Sequence, residues 1–501
     1  MDVDIIFENK QIEFFSKVLL CTELIKNDKI KKVRLASSKV FLNKILNDFD
    51  EEKKRIKTIL YKDIWHNSEI FIVLSHLLEF KYCVFQEEDY IIFHSQLIKK
   101  ANKEFLKESS FKKIDSMFTL SQFTYDYYKK LFKKTKNICV SGNPRYDFLK
   151  LVKKKGHYKN FDKTKKILLS LNGSIFSLHG FKSKKNFQNP NKPATGGIYT
   201  GYTMDDKALD YKYTKKLFKI FLKIIKLNPN KNFILRPYPS DRLYLKYYQR
   251  LLSKFKNVEI NVNEDILYCL DKSDIVISAP DNVALEAIFF NIPVNVFYDS
   301  SKFDHRYIYA DHPFLKYFSE QSFTNLEHLN KFLNLNNTPL INKKLEKYYG
   351  LENDSINIIS NKLTENIKSK PKSNFLKILS FKIFAFLLRQ IMKRINSNLS
   401  KKNFDTYSFL KFRNSYKYSF SRIFFYFYIR DFSTKGRFIE LLYKYCVGKN
   451  YSEHDEKIHQ SFFEKIDLIE IQNFLDYYEL LKNIPIKVYL DEKEQVLIFE
   501  K

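Results

Sequence analysis

Short runs of β-branched and aromatic residues alternate along the chain with stretches whose apolar positions recur every three to four residues. Runs at 3–7 and 32–36 flank a helix-period stretch at 11–26. Further runs follow at 58–61, 82–85, 116–120 and 137–141, with helical stretches at 90–106 and 124–132. Apolar strands separated by amphipathic helices predict a parallel sheet with helices on both faces. The pattern restarts with a run at 166–171. It continues through a helix at 211–226, a strand at 232–236, a helix at 242–255, strands at 258–261 and 274–279, a helix at 283–290 and a strand at 294–298. Two successive doubly wound α/β units are therefore expected, 1–155 and 160–365, joined through a charged stretch.

Two regions break the rhythm. Six of the ten glycines fall between Gly156 and Gly201, and no periodic element is legible from 172 to 204. A loop of that length inside a compact unit is usually functional or disordered. Beyond residue 365 the strand pattern fades. Residues 368–430 carry 15 Lys/Arg and the single acid Asp405, a net +14, among dense aromatics. Residues 368–501 read as a mainly helical, basic extension. The stretch 375–395 is apolar around most of a helix but interrupted by Lys377, Lys382, Arg389, Lys393 and Arg394. That mixture suits a helix lying on an anionic membrane face, and equally one packed back on the α/β units.

Composition changes this picture only at the margins. The 501 residues, 44% of them hydrophobic, have ample apolar surface for several cores. The net charge of +30 admits nucleic acid, membrane or phosphorylated partners. An A/T-rich genome would enrich Lys, Asn, Ile, Phe and Tyr whatever the function, so the charge selects none of them. No RRM, KH, zinc-finger or helix-turn-helix signature is present, which argues against nucleic acid. The five cysteines are scattered without a CxxC pair, which predicts neither a disulfide framework nor structural zinc and fits a reducing cytoplasm. The acidic opening MDVDIIFE is unlike a signal peptide, and no run of about 18 apolar residues predicts a membrane-spanning helix.

Candidate chemistry gathers at three strand–loop–helix junctions. In ICVSGNPRYDFL, Gly142 permits a tight turn, Asn143 suits an N-cap and Pro144 the first helical position. Arg145 and Asp147 then fall at the carboxyl end of a parallel strand, where such sheets bind ligands. In NFILRPYPSDRL, Arg236 ends a strand where a guanidinium fork would suit a diphosphate, Tyr238 follows, and Ser240 can cap the next helix. In SDIVISAPDNVALEAIF, Ser278 ends a buried strand, Asp281 and Asn282 lead into a helix, and Glu286 lies about one turn in, able to reach ribose hydroxyls. A helix start favours phosphate. Asn172 and Gly173 open the glycine-rich loop on the same side. Each junction also suits a plainly structural role: a capped helix, a rigid connector, a carboxylate complementing a helix dipole. His157 and His179, near the glycine-rich loop, suit acid/base work or simple solvation.

The three junctions, taken together and in this order, resemble the bacterial surface carbohydrate biosynthesis proteins. The resemblance rests on GNPRYD (142–147), LRPYPSD (235–241) and SDIVIS with ALEAIFFNIPV (273–294), and more weakly on VDIIFE (3–8), and covers roughly residues 1–330. It implies two facing Rossmann-like doubly wound domains of the GT-B type. It also implies a glycosyltransferase that moves a sugar from a nucleotide-sugar donor to a surface polysaccharide or lipid-linked glycan. The donor would lie against Asn172, Gly173, Arg236, Tyr238, Ser240, Ser278, Asp281, Asn282 and Glu286. The acceptor would lie toward Asn143, Arg145 and Asp147, with Glu8, directly after the first strand, as acid or base. No cofactor and no metal are implied; the scattered cysteines suit the cytoplasm, and the basic segment 368–430 suits a peripheral position on the inner face of the plasma membrane. An epimerase of nucleotide sugars, a polyol-phosphate transferase and a diverged non-catalytic member are the alternatives. Two departures stand out: Tyr238 where relatives usually carry His, and Pro280-Asp281-Asn282 in place of a Ser/Thr run. Both put the donor contacts in doubt.

Overall fold

The computed structural model describes residues 1–7, 10–38, 40–41, 57–62, 71–72, 75, 80–87, 114–132, 137–157, 166–173, 175, 204–262, 264–299, 322–334, 345, 348–365, 466–492 and 495–501. The predicted helix at 90–106, most of the glycine-rich loop and the basic segment 368–430 lie outside these residues, as do Glu8 and His179.

The first sheet begins with β1 (Asp2–Phe7), followed by helix α1 (Lys10–Lys26), β2 (Lys32–Ser37), β3 (Lys57–Tyr61), β4 (Lys81–Phe85) and β5 (Ser116–Thr119). Helix α2 (Gln122–Leu131) leads to β6 (Ile138–Val140) and α3 (Pro144–Lys155). The second sheet takes β7 (Lys166–Ser170), α4 (Met204–Leu227), β8 (Phe233–Arg236), a 3-10 turn (Pro239–Tyr244), α5 (Leu245–Leu252) and β9 (Val258–Ile260). It is completed by α6 (Ile266–Asp271), β10 (Ser273–Ser278), α7 (Asn282–Phe289), β11 (Val294–Phe297), β12 (Ser322–Phe323) and α8 (Leu326–Asn334). Helix α9 (Ser355–Thr364), α10 (Leu468–Tyr477) and the strands β13 (Lys487–Asp491) and β14 (Val496–Glu500) close the chain.

Strand order in the first sheet is β13-β14-β2-β1-β3-β4-β5-β6, and in the second β12-β11-β10-β7-β8-β9. Every pairing within β1–β6 and within β7–β12 is parallel. The chain is therefore an α/β protein built on two doubly wound parallel sheets. Each sheet reverses its winding once, between β1 and β3 in the first and between β7 and β10 in the second. Such a reversal leaves a crevice at the carboxyl ends of the two strands, because their connections leave on opposite faces. The central strands are buried nearly end to end: Val3, Ile5, Val33 and Leu35 in the first sheet, and Leu168, Ile234, Val276 and Ile277 in the second, are at most marginally exposed. The charged pair Asp4 and Arg34 sits inside the first sheet's core, joined at 2.7 Å and 2.9 Å. Neighbouring parallel strands bring the two side chains level, Asp4 opposite Arg34 in register.

The chain's last part departs from the expected layout. Residues 466–501 are not purely helical: β14 pairs antiparallel with β2, with Phe499 opposite Val33, and extends the first sheet. Phe474 of α10 packs its ring 4.8 Å from Phe15 of α1 and 5.6 Å from Phe148 of α3. Helix α9, expected with the second unit, also packs on the first sheet's side, where Lys81 Nζ caps its end by donating to the carbonyls of Lys362, Leu363 and Glu365 at 2.9–3.1 Å. The apolar faces of α9, α10 and β14 need cover, and α1, α3 and the open edge of β2 supply it. Sequence period alone carries no information on which sheet a distant helix will meet.

Candidate functional site

The GNPRYD junction shapes the approach between the two sheets. After β6 the chain turns at Gly142 with φ +80, a left-handed conformation that a side chain would oppose. Asn143 then caps α3, its Oδ1 accepting from Arg145 N at 2.9 Å, with Pro144 at the first helical position. This fixes Arg145 at the carboxyl edge of the first sheet, aimed across to the second.

There the guanidinium makes two forks. Nε and Nη2 donate to Glu286 at 3.0 Å and 3.2 Å, while Nη1 and Nη2 donate to Asp265 at 3.1 Å and 2.9 Å. Asp265 is the N-cap of α6, just beyond β9, and Glu286 lies on α7, just beyond β10. The carboxyl edges of the two sheets therefore meet at one buried arginine. Around it Tyr146 stacks on Phe289 with ring centroids 6.3 Å apart, and Lys153 Nζ donates to the Phe289 carbonyl at 2.9 Å.

Burial opposes every charge in this network, but the partners decide each balance. For Arg145 burial is outweighed by Asp265 and Glu286, and its pKa rises above the ordinary arginine value. Asp265 is also penalised by burial, yet Arg145 and the N–H of Leu267 hold its carboxyl below the ordinary range. For Glu286 burial wins, Asp265 adds repulsion, and its carboxyl rises despite Arg145. Arg236, ending β8, is buried behind the same group, with Nη1 donating to the Glu264 carbonyl at 2.8 Å and lying 3.7 Å from Cys269 Sγ. Two guanidiniums thus face two carboxylates, and the network is close to neutral.

Four of the predicted site residues, Asn143, Arg145, Arg236 and Glu286, lie at this network. Glu286 is locked to Arg145 rather than turned to a ribose. Arg236 is taken up by the Glu264 carbonyl instead of standing open for a diphosphate. Asp147 accepts from Ile356 N at 2.8 Å and from Lys150 Nζ at 3.1 Å, so it holds the start of α9. Burial raises its carboxyl, partly offset by those two donors. Tyr238 is half-buried just before the 3-10 turn; the side chain of Ser240, within that turn, lies outside the described residues. His157 is buried after α3 rather than solvated.

The second sheet's crevice lies between the ends of β7 and β10, and there the remaining candidates gather. Asn172 and Gly173 follow β7. The buried Oδ1 of Asn172 has no partner among the described residues. Gly173 lets α4 come close, since a Cβ there would stand 2.8 Å from Thr214 Oγ1. Across the crevice Ser278 Oγ donates to the Ala279 carbonyl at 2.8 Å. Asp281 caps α7, its Oδ1 accepting from Val283 N at 3.0 Å and Ala284 N at 3.2 Å. Two of the backbone donors that a phosphate would use at this helix start are therefore already taken by a carboxylate, and Asn282 stands exposed beside it.

Reading along the sequence missed Asp265, although NEDILYCL carries the mark of an N-cap before an apolar run. It also missed Asp241, fully buried and accepting from Tyr248 Oη at 2.6 Å and Ile175 N at 3.3 Å. Among the described residues no group of three or more His, Cys, Asp or Glu is placed to hold a metal ion. No helix among them is long and apolar enough to cross a membrane.

No family model matches the chain, and no curated protein matches it. Solved structures share its outline at low identity. The UDP-GlcNAc 2-epimerase of Neisseria meningitidis, bound to UDP-GlcNAc, is 14% identical, covers 73% of this chain and 100% of its own, and superposes with a TM-score of 0.41. The UDP-N-acetylglucosamine 2-epimerase of Rickettsia bellii is 11% identical over 73% of this chain and 96% of its own, with a TM-score of 0.43. A variant of the wall teichoic acid polymerase TagF, soaked with CDPG for 30 minutes, is 14% identical over 77% and 89%, with a TM-score of 0.38. Overlap this loose carries no functional argument, and the fold stands on the strand order itself.

Proposed function

We propose that the chain is a nucleotide-sugar enzyme of GT-B architecture, a glycosyltransferase that extends a bacterial surface polysaccharide. The observation carrying this reading is the meeting of two doubly wound sheets, carboxyl edge to carboxyl edge, at Arg145, Asp265 and Glu286. Each sheet has its own switch-point crevice on that edge, one for an activated donor and one for an acceptor. The donor is assigned to the β7/β10 crevice, where Asn172 Oδ1, without a partner among the described residues, can accept from a base or sugar hydroxyl. Arg145 and Arg236 act behind it, setting the shape of the crevice rather than touching the diphosphate. The basic segment 368–430 is assigned to an anionic membrane surface, which would bring the enzyme to a lipid-linked glycan.

Calorimetry across nucleoside diphosphates and their sugars tests the donor site, and a product assay tests the reaction. The expected result is binding of one nucleotide class, with donor consumed only when a glycan acceptor is present. Conversion of the donor alone would make the chain an epimerase, and binding of no nucleotide would overturn the reading.

Asp281 sharpens the test. Its carboxylate repels a phosphate from the start of α7, whereas asparagine keeps the cap without the charge. Asp281→Asn is expected to tighten nucleoside diphosphate binding about 3- to 10-fold, corresponding to about 1 kcal/mol at a helix terminus. The nucleoside, lacking phosphate, should bind both forms alike. Equal diphosphate affinity in the two would place the phosphates away from α7.

A further inference from the structure

The first sheet carries a second buried charge cluster, at its own switch point and with no part in the Arg145 network. Four side chains alternate in sign along it. Lys62, directly after β3, places Nζ 3.2 Å from Glu13 Oε1; Glu13 Oε2 lies 3.1 Å from Lys17 Nζ; and Lys17 Nζ lies 3.0 Å from Oε1 of Glu87, just beyond β4. Lys17 also reaches back from α1 to donate to the Ile6 carbonyl at the end of β1, at 3.0 Å. The cluster therefore spans the carboxyl ends of β1, β3 and β4, the strands at and beside the reversal. Four charges this deep are expensive to desolvate, and apolar residues of similar size would commonly stabilise the sheet better. Their position on a ligand-binding edge gives them another purpose.

Glu87 differs from the other three. Its side chain is the most open, 11% exposed, and its backbone is pinned by N–H donation to the carbonyls of Lys62 at 3.1 Å and Phe85 at 3.0 Å. Its Oε1 is the oxygen held by Lys17. Strand β4 lies two strands from β6, about 10 Å along the edge that carries Arg145.

Resting on the transferase reading above, we propose that Glu87 is its general base, taking the proton of the acceptor hydroxyl on Oε2 in the β1/β3 crevice. The acceptor O–H bond breaks toward Glu87 as the acceptor oxygen bonds to the anomeric carbon of the donor. The bond from that carbon to the diphosphate breaks with its electron pair leaving on the nucleoside diphosphate. Glu87 then gives the proton to water. Lys17 is a positioning residue: it fixes Oε1 and so aims Oε2.

The electrostatics suit this task. Burial pushes the Glu87 carboxyl up to about 8; Lys17 opposes the rise, Glu13 adds to it and Lys62 opposes it weakly. Lys17 itself is penalised by burial, but Glu13 and Glu87 outweigh this and hold its pKa above the ordinary lysine value. Cys21, one turn further along α1, is kept neutral by burial. A base whose pKa lies near the working pH is both available and strong.

A base must be ionised, so kcat/KM of the full chain should rise with pH and level off above about 8. Glu87→Gln should lose turnover about 100-fold or more, within the range for general base catalysis, and lose the rising limb with it. Its nucleotide affinity should be unchanged, because the donor sits on the other sheet. Lys17→Met should shift the rising limb to higher pH, since an ammonium that favours the carboxylate is gone; a purely structural lysine would lower the plateau without moving the limb. Turnover retained in Glu87→Gln, or a limb that stays near pH 8 in it, overturns the assignment while leaving the transferase standing. A wild-type chain that turns over no donor, yet binds nucleotide, defeats both.

Discussion

Arg145→Met is expected to lower the free energy of unfolding by about 3–5 kcal/mol, the usual consequence of removing one partner from a buried ion network. The reason is what remains: Asp265 and Glu286, both buried, would face each other without the guanidinium that now bridges them. Denaturant unfolding of wild type and variant measures the loss. The pH dependence gives a second, independent signature. In the wild type Asp265 is held below its ordinary range, so its stabilisation is present above that range and fades as pH falls through it. In the variant Arg236 and the Leu267 N–H remain, but the largest opposition to burial is gone, and both carboxyls shift upward. A native state that binds protons more tightly than the unfolded chain gains stability as pH falls. The gap between the two proteins should therefore narrow from pH 7 toward pH 5. Adding Glu286→Gln to Arg145→Met should recover part of the loss, since one uncompensated charge is then gone. A gap that does not change with pH would mean the two carboxylates find other partners or water.

Gly142→Ala is the second large effect expected, at about 2–5 kcal/mol. Roughly 1–2 kcal/mol comes from forcing a side chain into the left-handed region, and about 1–3 kcal/mol from overpacking. The new Cβ would stand 2.5 Å from Ser355 Oγ and 2.6 Å from Asn353 Cβ, where α9 returns to the first sheet. Gly350, with φ +58, makes the matching approach from the other side, against the Leu120 carbonyl. Neither contact can relax cheaply, since one side of each is a chain segment fixed by its own hydrogen bonds. Hydrogen exchange localises the damage: α9 amides should lose protection first, while β10 and β11 of the second sheet keep theirs. Uniform loss across both sheets would show that the two halves unfold as one unit.

The two parallel sheets were legible in the sequence because their strands are apolar on both faces and their helices on one. Eleven of the strands, from β1 to β11, fall where short apolar runs predict them, and the ends of α1 and α7 lie within a residue of the expected ones. Local chemistry was legible too: Asn143, Pro144 and Asp281 announce helix starts because capping is settled by residues a few positions apart. Partnership across the chain was not. Arg145 and Glu286 stand 141 positions apart, and nothing in either motif says that they meet. The same holds for Glu87, whose neighbours Lys17 and Glu13 come from a helix some 70 residues earlier. The hairpin of β13 and β14 was missed because it finds its sheet only by pairing with β2, more than 450 residues upstream. Periodicity and caps are written in neighbouring residues and can be read there. Which carboxylate an arginine answers, and whether a charge ends up buried or open to a ligand, depends on distances that only the folded chain creates.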